Sequence, residues 1–143
     1  MKIALLTLGC KLNFAETATY ERGFRAAGLE VVPWSERADV YLINTCSVTA
    51  TADSKSRNLV RKMHRISPQA KIVVTGCSAE LRRAEIKAIE GVSRVFGAAE
   101  KGLVVEETLG SCALPSPRSL DEALDALEWA RRRAAEVCAA CQK

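Results

Sequence analysis

The chain has 143 residues, 48% of them apolar and 27% charged, a balance that fits one globular core domain with a short appendage and excludes disorder throughout. The formal charge of +4 is unevenly placed: residues 1–110 hold 16 Lys and Arg against 12 Asp and Glu, whereas residues 111–143 hold 5 of each. No segment approaches the roughly 20 apolar residues of a membrane span, so no membrane partner is expected.

The chain opens on a buried-strand pattern from Lys2 to Leu8. That apolar run is shorter than the roughly 7–15 residues of a secretory core, and helix-like sequence follows it at once, so a lipoprotein reading of Gly9-Cys10 is set aside and a cytoplasmic chain is expected. Asn13 then predicts a helix cap, with Glu16 three residues on as its capping-box partner and Gly28 as the stop after Ala27. Leu29 to Pro33 is a weak second strand. Asp39 to Asn44 is a clearer third, apolar on both faces as in the middle of a parallel sheet.

The next helix, Ala50 to Ile66, sends Leu59, Val60, Met63 and Ile66 to one side and Arg57, Arg61 and Arg65 to another. A strand at Lys71 to Thr75, a helix from Ala79 to Glu90 ended by Gly91, a short strand at Arg94 to Phe96 and a helix to Leu109 ended by Gly110 complete the alternation. Strands separated by helices imply a parallel sheet with right-handed crossovers. The expected class is therefore α/β, a five-stranded flavodoxin-like or Rossmann-like sheet with helices on both faces. Residues 1–110 form its domain, 111–118 with Pro115 and Pro117 a linker, and 119–143 a carboxyl-terminal helix, with a non-native tail as the alternative for that last part.

Cys10, Cys46 and Cys77 each follow one of the apolar runs. Parallel strands would bring the three thiols to the carboxyl edge of one sheet, where open α/β sheets bind ligands. Soft thiolates converging there suit a metal or an iron-sulfur cluster; a catalytic thiol and plain burial are the competing readings. In a reducing compartment six cysteines do not imply disulfides. A Gly-x-Gly-x-x-Gly fingerprint is missing after the first strand, which argues against a dinucleotide enzyme. His64 is the sole histidine and reads as a solvated helix residue. The arginine stripe reads either as a solvated face or, with no interleaved acid after Asp53, as a contact for phosphate backbone. Cys138 and Cys141 form a CxxC, a metal or redox motif by spacing, but on the apolar face of a terminal helix they read as packing or a non-native tail, and Cys112 has no evident partner.

Three motifs carry a resemblance. Thr7-Leu8-Gly9-Cys10-Lys11-Leu12-Asn13, Asn44-Thr45-Cys46-Ser47-Val48-Thr49 with Asp53, Lys55, Ser56 and Arg57 after it, and Thr75-Gly76-Cys77 resemble, in order, the amino-terminal domain of the radical S-adenosylmethionine methylthiotransferases. The resemblance implies an auxiliary 4Fe-4S cluster held by Cys10, Cys46 and Cys77, with one iron left open to a sulfur co-substrate. It implies a tRNA partner, because the Leu-Gly-Cys-Lys-x-Asn form is similar to the branch that methylthiolates threonylcarbamoyladenosine beside the anticodon. S-adenosylmethionine and a second 4Fe-4S cluster belong, in that family, to a following domain with Cys-x3-Cys-x2-Cys.

Here Ala134 stands where the first of those cysteines would be, and Ser78 replaces an aromatic residue common after the third motif cysteine. The expectation is thus a cluster-binding domain or truncated enzyme, inactive alone, with no catalytic acid or base of its own. A separate radical S-adenosylmethionine chain would complete it. The alternative is a non-catalytic RNA- or protein-binding module.

Overall fold

A computed structural model of the chain describes residues 1–47 and 49–111; the expected linker and terminal helix, with Cys112, Cys138 and Cys141, lie outside them. Five strands, β1 (Lys2–Thr7), β2 (Glu30–Val32), β3 (Val40–Thr45), β4 (Lys71–Gly76) and β5 (Val92–Val95), form one sheet in the order β2-β1-β3-β4-β5. Every pairing is parallel. This is the flavodoxin-like order, with its switch point between β1 and β3.

Because successive strand residues face opposite sides, the apolar runs of the central strands feed two cores. Ala4, Leu6, Tyr41, Ile43, Ile72 and Val74 pack with Val60 and Met63 of α2 (Ala50–Ile66). Residues of the other parity, including Ile3, Val40, Leu42 and Val73, are equally buried. Helix α1 (Lys11–Ala26) buries Tyr20 and Phe24, and its Gly23 lies against Val105 of α5 (Val104–Ser111). Thr49 caps α2 by accepting a hydrogen bond from the Ala52 N–H at 3.0 Å.

Three local expectations are corrected. Asn13 does not cap α1, which starts at Lys11 with Cys10 in the cap position and no side-chain cap bond. Asn13 is instead buried, its amide donating to the carbonyls of Leu8 and Thr45 at 2.8 and 2.9 Å, acceptors that the ends of β1 and β3 leave over. The single helix expected over 79–90 is two short ones, α3 (Cys77–Leu81) and α4 (Arg83–Lys87). The break falls at Arg82, whose backbone leaves the helical region and whose guanidinium turns to buried Asp53. Gly110 does not end the last helix: a 3-10 turn, Ala98–Leu103, leads into α5, which runs to Ser111.

Candidate metal centre at the carboxyl edge of the sheet

The register aligns Thr7 with Asn44 and Asn44 with Thr75 across the three central strands. Cys10, Cys46 and Cys77 follow that row by two or three residues, so all three leave the sheet at the same edge. They are free thiols; Cys46 is buried, while Cys10 and Cys77 are exposed. Exposure of two of them speaks against the packing reading for those two.

Two glycines set how close the loops come. Gly9 has φ +114°, and a Cβ added there would stand 2.7 Å from the Cβ of Cys46 and 2.9 Å from its Sγ. Gly76 has φ +99°, and its Cβ would run into the Thr45 carbonyl and lie 2.6 Å from Asn44 Oδ1. The residue before Cys10 is thus pressed onto Cys46, and the residue before Cys77 onto the strand end that delivers Cys46. Gly9→Ala is expected to cost about 1–2 kcal/mol of stability from the backbone alone, read by urea unfolding, and to lower iron uptake by pushing on Cys46.

Polar side chains hold the edge in place. The Ser56 hydroxyl donates toward the Cys46 carbonyl at 3.1 Å and lies 3.4 Å from the Cys46 N–H. Asn44 donates to the Asn13 carbonyl and to Glu16 at 3.0 and 3.3 Å, and Glu16 pairs with Lys101 at 2.7 Å. Glu16 therefore serves this network rather than a capping box. Lys101 also helps to line a cavity of about 260 Å³ against Cys77, whose other walls include Gly76, Leu81 and Ala98. The Asn13 and Leu12 N–H groups at the start of α1 hold the Cys10 thiol below its ordinary pKa, as helix N-termini do.

Behind Cys77 stands a charge cluster around the buried Asp53 carboxylate. The Ser78 hydroxyl donates to Asp53 at 2.5 Å, and Arg57 and Arg82 bind the same carboxylate at 2.5 and 2.9 Å. Arg57 also reaches Glu85 at 3.5 Å. The arginine stripe is therefore divided: Arg57 is engaged by acids from its own helix and from α4, whereas Arg61 and Arg65 remain exposed. Sequence reasoning missed this because Glu85 is distant in the chain. His64 is not the solvated residue expected. Its side chain is 21% exposed, and it packs on Gly91 at the opposite edge of the sheet, some 20 Å along α2 from its start. A Cys-His catalytic pair at the cysteine edge is thereby excluded.

Among the described residues, no group of three His, Cys, Asp or Glu side chains is gathered closely enough to hold a metal ion. By type, three thiolates are soft donors that suit an iron-sulfur cluster or zinc. A mononuclear site needs every donor within about 2.3 Å of one point, whereas a cluster spreads its thiolates over separate irons. Asn44 Oδ1, buried without a hydrogen-bond partner among the described residues, lies beside Gly76.

The model of the family described as "Uncharacterized protein family UPF0004" matches residues 2–97. The chain belongs to that family. A threonylcarbamoyladenosine tRNA methylthiotransferase MtaB of Bacillus subtilis (strain 168) is 46% identical over 99 residues, 69% of this chain and 22% of the relative. That of Aquifex aeolicus (strain VF5) is 40% identical over 101 residues, 71% and 25% of the two chains. A ribosomal protein uS12 methylthiotransferase RimO of Roseiflexus castenholzii is 31% identical over 120 residues, covering 82% and 25%.

The resemblance to the amino-terminal domain of the methylthiotransferases is borne out, and the chain spans about a quarter of the length of these relatives. Among solved structures, a CheY-like receiver domain from Methanospirillum hungatei JF-1 matches with a TM-score of 0.58 at 14% identity, covering 78% of this chain and 93% of that one. It shares the fold alone. No helix of the described residues is long and apolar enough to cross a membrane.

Proposed function

We propose that this domain is the auxiliary-cluster part of a tRNA methylthiotransferase, with Cys10, Cys46 and Cys77 as the ligands of a 4Fe-4S cluster. The observation that carries the reading is the delivery of three free thiols to one sheet edge by adjacent parallel strands, with Gly9 pressed onto Cys46 and Gly76 onto Thr45 just before it. A cluster held by three thiolates leaves one iron open to a sulfur ligand, which is the chemistry the group would supply when bound. The chain's own residues do the rest. Ser56 and Asn13 fix the backbone around Cys46, and the Asp53–Ser78 bond anchors the helix that starts at Cys77.

The relatives' names support tRNA as partner and threonylcarbamoyladenosine as the modified nucleoside, which makes the cytoplasm the place of action. S-adenosylmethionine and the second cluster would be held elsewhere in the enzyme, so the domain supplies cluster ligands and no acid or base. Anaerobic reconstitution with iron and sulfide tests the reading. The expected result is about four irons per chain with matching acid-labile sulfide; an iron-free product whose three thiols alkylate freely would overturn it.

A further inference from the structure

A sizeable cavity among the described residues lies away from the cysteines. It is a groove of about 660 Å³ between α2 and the stretch that leads from α4 to Gly91. Asn58, Arg61, His64 and Arg65 form one wall, and Ala88 and Ile89 help to line the other side. His64 can enter the wall because Gly91 has no side chain; a Cβ there would strike the imidazole.

The charges around this groove are not balanced in place. Glu85, on its rim, is bound by Arg82 at 2.9 Å and approached by Arg57 at 3.5 Å, and those two guanidiniums also satisfy Asp53. Two cations and two anions thus close on one another. Neither Arg61 nor Arg65 has an ion pair among the described residues; Arg61 reaches the Asn58 amide oxygen at 3.3 Å. Glu90, the remaining acid of the lining, is 89% exposed and stands 3.7 Å from His64 Nε2. Arg61 and Arg65 stand one helical turn apart, about 6 Å along the axis, which neighbouring phosphates of one strand can match.

We propose that this groove seats the sugar-phosphate backbone of an RNA strand, with Arg61 and Arg65 on successive phosphates and a ribose or base against Ala88 and Ile89. The proposal rests on the reading of the domain as part of a tRNA-modifying enzyme. It names a site on the opposite edge of α2 from the cysteines and leaves Arg57 out of it. An apolar surface beside paired guanidiniums suits a nucleotide better than a bare anion, which would leave Ala88 and Ile89 unused.

The test is equilibrium binding of an unmodified tRNA transcript to the full chain, followed by fluorescence anisotropy over a salt series. Removing two phosphate contacts in the Arg61→Ala/Arg65→Ala variant should lower the log–log salt slope by about 1.5, with an unchanged melting curve. Arg61→Lys/Arg65→Lys, which keeps point charges, should restore most of it. An Arg22→Ala/Arg25→Ala variant on α1 should leave the slope as it was.

Four results would overturn the proposal: no tRNA binding by the unaltered chain, an unchanged slope in the groove variant, an equal fall in the α1 variant, or displacement of tRNA by poly-glutamate at equal charge, which would assign the groove to an acidic protein. Iron content is measured on the same preparations. Failure to load a cluster and failure to bind RNA are therefore read separately.

Discussion

Replacing Cys46 by Ala is expected to abolish iron uptake, leaving less than about one iron per chain where the unaltered protein takes up about four. Cys46 is the middle member of the set: buried, pressed by Gly9, and held through its own backbone by Ser56. Because the substitution removes one buried sulfur, the cost in stability should be about 1 kcal/mol, and the variant should melt within a few degrees of the iron-free parent. Cys10→Ala and Cys77→Ala should lose iron in the same way, whereas Cys112→Ala and the Cys138→Ala/Cys141→Ala pair should retain it. Full loading of Cys46→Ala would put the ligands elsewhere, and loss of iron from the Cys138→Ala/Cys141→Ala variant would bring the tail into the site.

Asp53→Ala is expected to destabilise the domain by about 2 kcal/mol, the cost of leaving the buried Ser78 hydroxyl unpaired plus a screened loss of two partly exposed arginine contacts, and to lower Tm by roughly 10 °C. The substitution strands the buried Ser78 hydroxyl and leaves Arg57 and Arg82 facing only Glu85. The pH dependence has a definite sign. The Ser78 hydroxyl, with the Arg57 and Arg82 charges, holds the Asp53 carboxyl below the usual carboxylate range. Its folded pKa lies below its unfolded one, so the contribution is complete above the unfolded value and is lost as pH falls through the folded value. The difference between the parent and Asp53→Ala in urea unfolding should therefore be largest near neutrality and shrink below about pH 4. A difference that stays constant from pH 7 to pH 3 would show that the carboxylate's charge plays no part.

The five-stranded parallel sheet and the position of each of the three cysteines just past a strand could be read from the chain because both follow from near-local patterns: apolar runs of strand length, helical periodicity between them, and a glycine just before two of the cysteines. What could not be read depends on groups far apart in sequence. Asn13 and Glu16 satisfy the spacing of a helix cap, yet the free carbonyls of Leu8 and Thr45 take the Asn13 amide, and Asn44 and Lys101 take Glu16. Arg57 looks like a member of an exposed stripe until Glu85 arrives from the far side of β4. Ser78, a departure from the family pattern when met as sequence, proves to be the hydroxyl that ties Cys77's helix to Asp53. His64 has no local signal of its packing, since the space it fills is made by the missing side chain of Gly91.

The amides of Asn13 and Asn44 tie the Cys10 and Cys46 segments to strand ends already buried in the sheet, and the Thr45 hydroxyl accepts from the Ala79 N–H of the helix that starts at Cys77. Small metallodomains that fold only around their metal lose their shape when it leaves; this one has an apolar core of strand and helix residues beneath the edge. On the reading proposed above, loss of the cluster would leave that core in place, so that fresh iron and sulfide could rebuild it on the same chain.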